Sequence, residues 1–276
     1  MDSRPIGIFD SGVGGLTVAR EVMRQLPEEE ILYLGDTARV PYGPRGAATI
    51  TRFALELVDF LLVRDVKALV VACNSMSACA IDAIRRHSPV PVIDVIVPTL
   101  AEAASRSRTG RIGVIGTVAT IASGVYARLL AQRRPEAHLT AIACPLFVPI
   151  VEEGLTDHPV ARLMAAEYVG TLRSAGIDTL ILGCTHYPLL KRVLAETLGP
   201  QVTLIDSAEP TVAALEVRLR KEGLVAPPRT REALHRFCVT DASYKFMEIA
   251  NRILGGDFSA FVEQVSVEGS GAALVG

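Results

Sequence analysis

The sequence predicts an α/β fold made of two similar halves, each a mainly parallel sheet covered by helices. Three observations predict it. Short apolar runs rich in β-favouring residues alternate with amphipathic stretches, the chain resembles itself at a spacing of little over a hundred residues, and its chemically unusual residues stand just beyond the apolar runs.

In chain order the expected strands are PIGIF at 5–9, EILYL at 30–34, ALVVAC at 68–73 and PVIDV at 91–95. RIGVIG from 111, LTAIAC from 139, TLILGC from 179 and VTLID from 202 follow. Amphipathic stretches such as residues 17–25 and 52–64 lie between them, which gives the strand-helix-strand rhythm of parallel sheets. IGIFDSG from Ile6 resembles IGVIGTV from Ile112, and ALVVACNSMS from Ala68 resembles TLILGCTHYP from Thr179. The two matches lie 106 and 111 positions apart, close enough to one spacing to indicate a duplicated unit with a boundary near Pro98. After about Asp206 come two more helical patterns and the strand candidates RFCVT and VEQVSV, which could complete either half. The Gly-rich tail EGSGAALVG is assigned no role.

Composition narrows the function classes. The chain has 276 residues, 50% of them hydrophobic and 21% charged, enough to bury one large core or two smaller ones. A formal net charge of −2 without any block of like charge gives no basic footprint, so nucleic acid is not expected as the main partner. The apolar runs are broken by Arg64, Asp65 and Lys67 or by glycines before reaching the roughly 20 residues a membrane helix needs, and the start MDSRPIGIFD has no leader-like apolar segment. The expected setting is the cytosol, without a membrane partner. The five cysteines, Cys73, Cys79, Cys144, Cys184 and Cys238, are odd in number and widely spaced, as free thiols are. No pair has Cys-x-x-Cys spacing, and a metal site would need Cys184 and His186 plus distant ligands, so no metal is expected.

In parallel α/β sheets ligands bind beyond the carboxyl ends of the strands. Those ends carry Asp10, Ser11 and the glycines of DSGVGG, then GDTARVPYG, then Cys73, Asn74 and Ser75, and in the second half Cys184, Thr185 and His186. Each has a plain structural reading. DSGVGG is not in the register of a dinucleotide-binding turn and fits a tight strand-to-helix connection; a cysteine closing an apolar strand packs as a small hydrophobe; Ser75 or Thr185 fits a helix cap. The coincidence of a cysteine at the same point of both repeats favours function, with the two thiols flanking a cleft whose helix amides suit a carboxylate. A disulfide oxidoreductase usually holds both cysteines on one turn, and a cysteine hydrolase needs only one. Inverting a stereocentre needs two bases on opposite faces.

The blocks GIFDSGVGGLTV, YLGDTARVPYGPR, VVACNSMSA, ACPLFVPIVEEG and LILGCTHYPLL, in this order over residues 7 to about 190, resemble the glutamate racemases of the cofactor-independent aspartate/glutamate racemase family. The resemblance implies conversion of L-glutamate to D-glutamate for peptidoglycan synthesis, with no cofactor; no lysine for pyridoxal stands in any of the motifs. It implies Cys73 as the base for D-glutamate and Cys184 for L-glutamate, Asp10 assisting the first and His186 the second, with Asp36 and Glu152 in the same polar shell. Implied substrate contacts are Asp10, Ser11, Pro41, Tyr42, Gly43, Cys73, Asn74, Ser75, Thr117, Cys184, Thr185 and His186. It also implies two flavodoxin-like domains, residues 1–97 plus 208–276 and residues 98–207, with the site in the cleft between them. The family is often dimeric, and a homodimer is carried as an expectation without an interface signature. No extended polar segment precedes Ile6, so activation by a cell-wall precursor is not expected. Where the family commonly reads C-N-T-A-T this chain has Cys73, Asn74, Ser75, Met76 and Ser77, and Met76→Ala is expected to move Michaelis constants more than substrate identity. The alternatives are a racemase of a related amino acid such as aspartate, or a non-catalytic role such as gyrase inhibition.

Overall fold

The computed structural model describes residues 1–228, 233–256 and 262–267; the tail from 268 lies outside them. Among the described residues ten strands form two sheets, and every strand pairing is parallel. The strands are β1 (Ile6–Asp10), β2 (Ile31–Gly35), β3 (Ala68–Val71), β4 (Val92–Asp94), β5 (Arg111–Gly116), β6 (His138–Ala143), β7 (Thr179–Gly183), β8 (Thr203–Ile205), β9 (Arg236–Val239) and β10 (Val262–Gln264). The sheet orders are β10-β9-β2-β1-β3-β4 and β6-β5-β7-β8.

Set side by side, β2-β1-β3-β4 and β6-β5-β7-β8 follow one rule: the second strand lies outside the first, and the third and fourth lie on its other side. This is the flavodoxin-type order, in which chain direction across the sheet reverses between the first and third strands. The duplication visible in the sequence is thus a duplication of topology. In each sheet the switch point lies between the two strands whose ends carry the motifs. RFCVT and VEQVSV supply β9 and β10, which extend the first sheet at its β2 edge.

β1, β2, β3 and β7 are buried along their whole length, as strands covered on both faces must be. One apolar cluster runs through both halves, from Ile6, Ile8 and Val70 to Ile112, Val114 and Ile181, with Leu100, Val212 and Leu215 from helices between them. Two further clusters fill the outer faces, one behind each sheet. The halves are therefore packed on a continuous core. Pro98 does not stand in a linker: it lies in the first turn of the helix Ile96–Arg106, where its missing N–H leaves no intrahelical bond unmade. Among the described residues no helix is long and apolar enough to cross a membrane.

Candidate active site

The turn after β1 is shaped by what it touches. A Cβ at Gly15 would lie 2.4 Å from Cβ of Asp10, and one at Gly14 would lie 2.2 Å from Oγ1 of Thr185 and 2.7 Å from Nδ1 of His186. Those glycines allow the first half to approach the loop carrying Cys184 within contact distance. Asp10 is fully buried; its Oδ2 accepts from the Gly12 amide at 2.9 Å, while Oδ1 has no partner. Burial holds its carboxyl above the usual range, against the opposing influence of His186 and the neighbouring amides.

Cys73 stands two residues beyond the end of β3 and opens the helix Asn74–Cys79. It is 5% exposed, and its thiol donates to Oγ of Ser11 at 3.5 Å. Burial, then the charge of Asp10, pushes the thiol up to about 12, although the Ser11 hydroxyl and the Met76 amide pull the other way. Cys184 stands at the matching point after β7 and is 7% exposed. Here the chain does not enter a helix at once: a 3-10 turn, Tyr187–Leu190 with Pro188, precedes the helix Lys191–Leu198.

The Cys184 sulfur faces Nδ1 of His186 at 3.8 Å, and Nε2 of the same ring meets Oε1 of Glu152 at 3.2 Å. Burial opposes a charged imidazole, but the hydrogen bonds to Cys184 and Glu152 outweigh it and raise His186 to about 10. Burial likewise opposes ionisation of Glu152, and His186 overcomes it, leaving the carboxyl below its ordinary value. At neutral pH this side of the cleft is a carboxylate–imidazolium pair aimed at a sulfur. The other side is a neutral thiol beside a buried carboxyl.

Between the thiols lies a cavity of about 270 Å³. It is near the lower bound of roughly 300 Å³ for ordinary ligand pockets, which suits a molecule of amino-acid size. The first half contributes Ser11, Pro41, Tyr42, Gly43, Cys73, Asn74 and Ser75; the second contributes Thr117, Glu152, Cys184, Thr185 and His186. Val40, Val118, Pro145, Val148 and Pro149 add an apolar wall, and among the described residues no arginine or lysine lines the cavity. Thr117 caps the helix Val118–Ala122 and shares hydrogen bonds with Ser75 at 2.8 Å and Thr120 at 3.0 Å, so hydroxyls of both halves meet. Among the described residues no group of three His, Cys, Asp or Glu side chains could hold a metal ion.

Two of the expected residues stand behind the cavity. Asp10 lies beneath the glycine turn. Asp36 accepts from the Tyr42 hydroxyl, from Nε of Arg39 at 2.7 Å and from Oγ1 of Thr240 at 3.0 Å, so it reaches the cleft only through Tyr42. Met76 is fully buried in the outer cluster of the first half, with Leu57 and Ile84, and does not line the cavity. The sequence reading named neither the apolar wall of the cavity nor Thr120 and Tyr126. Val40, Pro44, Val118, Pro145, Val148 and Pro149 carry no reactive group, Thr120 follows Thr117 at cap spacing, and Tyr126 carries no local signal.

The Asp/Glu/hydantoin racemase family model matches residues 13–241. The chain belongs to that family. A glutamate racemase from Geobacter metallireducens is 50% identical over 97% of this chain and 98% of its own. The racemase fold also matches solved structures. A glutamate racemase from Bacillus anthracis superposes with a TM-score of 0.92 at 42% identity, covering 96% of this chain and 98% of that one. A glutamate racemase from Francisella tularensis, in complex with D-glutamate, gives 0.91 at 38% identity over 97% and 99% of the two chains.

Proposed function

We propose that this racemase interconverts L- and D-glutamate without a cofactor, by two-thiol acid/base catalysis, and supplies D-glutamate for peptidoglycan synthesis. The observation that carries the mechanism is the pair of buried cysteines after β3 and β7, equivalent in topology and lining one small cavity from opposite halves. The glutamate racemases at 43–50% identity over most of the chain support the substrate.

In the direction from L to D, Cys184 as thiolate takes the α-proton, with the His186 imidazolium opposite its negative charge. The Cys73 thiol then delivers its proton to the other face of the carbanion. The state left behind is a thiol at Cys184 and a thiolate at Cys73, and it is the state that accepts D-glutamate. Asp10, buried beneath the glycine turn with one carboxyl oxygen unpartnered, assists on the Cys73 side. Hydroxyls of Ser11, Ser75, Thr117 and Thr185, with Tyr42, Gly43 and Pro41 on the loop above, hold the two carboxylates where no basic side chain does. Asp36 positions Tyr42. Five free cysteines support a reducing, cytosolic setting. The domain reading of 1–97 plus 208–276 around 98–207 is supported by the strand content of the two sheets.

Circular dichroism of the amino acid tests the substrate. The expected outcome is loss of optical activity from either enantiomer of glutamate, and at most slow loss from aspartate. Faster racemisation of aspartate would overturn the assignment.

A further inference from the structure

Asn74 enters the cleft wall from the first residue of its helix, and its amide is used at one end only. Nδ2 donates to the hydroxyl of Tyr126 at 3.2 Å, while Oδ1 is buried and has no partner. Tyr126 belongs to the second half. It sits on the helix Val125–Arg133, is 3% exposed within the core shared by both halves, and its hydroxyl would be 3.4 Å from a Cβ placed on Gly183, next to Cys184. The phenol thus reaches across the junction between the halves to hold a side chain that lines the cavity.

A buried amide oxygen with no partner is rare in a folded protein and marks a place where a ligand supplies the missing donor. A primary amide is planar, so fixing its nitrogen end fixes the direction of its oxygen. We propose that Tyr126 is a positioning residue for racemisation: it holds the Asn74 amide so that Oδ1 is the acceptor for the substrate ammonium. This rests on the racemase reading given above. The bond serves both enantiomers, because inversion moves the α-hydrogen while the ammonium stays in place. It therefore contributes equally to ground and transition states, and its loss is read in KM rather than kcat.

The test is a cycle of Tyr126→Phe, Asn74→Ala and the double variant, with kinetics on both enantiomers of glutamate. Tyr126→Phe is expected to raise KM about two- to tenfold, the range one hydrogen bond supports, with kcat little changed. In the Asn74→Ala background it should add nothing. A KM unmoved by Tyr126→Phe, or a loss of the same size with and without Asn74, would mean that the phenol serves only packing and would overturn the proposal. Wild-type protein labelled with [13Cζ]tyrosine gives a reading that does not depend on the phenylalanine variant folding. Besides the resonance of Tyr42, which lines the cavity and is assigned by its absence in Tyr42→Phe, D-glutamate should shift a second buried tyrosine resonance, and Asn74→Ala should abolish that second shift; if no buried tyrosine other than Tyr42 shifts on binding, the proposal is overturned. Wild-type protein inactive on glutamate would overturn the racemase reading together with this one, whereas active protein with an unmoved KM would sink only the role of Tyr126.

Discussion

Cys73 and Cys184 share a position in the repeat and differ in what surrounds them. Burial and Asp10 keep Cys73 a thiol, while Cys184 faces an imidazolium held by Glu152. The His186 interaction has a pH signature. Its folded-state value of about 10 lies above the ordinary 6.5, so the stability it contributes is fully present below about pH 6.5 and is lost as pH rises through about 10. Urea denaturation should show wild type more stable than His186→Asn at pH 6.5, with the gap narrowing steadily and closing above pH 10; a gap independent of pH would contradict the assignment. Gly14→Ala tests the contact between halves, because the new methyl would fall on Thr185 and His186. The expected result is roughly a hundredfold loss in kcat/KM with the fold retained, since small displacements at a reacting centre are costly. Activity within a few-fold of wild type would show that the loop yields freely.

At the scale of elements, one short helix serves both the core and the cavity wall. The helix Asn74–Cys79 turns the Met76 side chain into the outer cluster, while Asn74 and Ser75 line the cavity. Met76→Ala should therefore cost about 2–5 kcal/mol of stability, the usual range for such a truncation in a core. Thermal and urea denaturation would measure it, and unchanged stability would contradict the core placement. β1 to β8 were legible in the sequence because they are short apolar runs followed closely by glycine, aspartate or cysteine, and the thiols were legible because the repeat doubled the signal. Tyr126 and Thr120 were not. Their roles depend on contacts with Asn74 and Ser75 of the other half, 52 and 45 positions away, which no local pattern encodes. Asp36 was picked out by its motif, but that it acts behind Tyr42 follows only from the fold.

Across the whole molecule, two copies of one sheet topology present their switch points to each other, and a continuous core joins them. Closure on a ligand then belongs to the lining loops and not to the core between the halves. Hydrogen exchange with and without D-glutamate should show added protection at residues 11–15, 40–45 and 184–187 and none in the buried strands β1 and β7. Protection absent from those loops would argue for a preformed, rigid cleft. The central claim is that two thiols exchange roles across one α-carbon. Its most direct test is proton NMR of D-glutamate in deuterated water with the reduced protein and no pyridoxal phosphate. Loss of the α-proton together with loss of optical activity, both abolished in Cys73→Ala, is the predicted result; an α-proton that persists in wild type, or that still washes out of D-glutamate in Cys73→Ala, would contradict it.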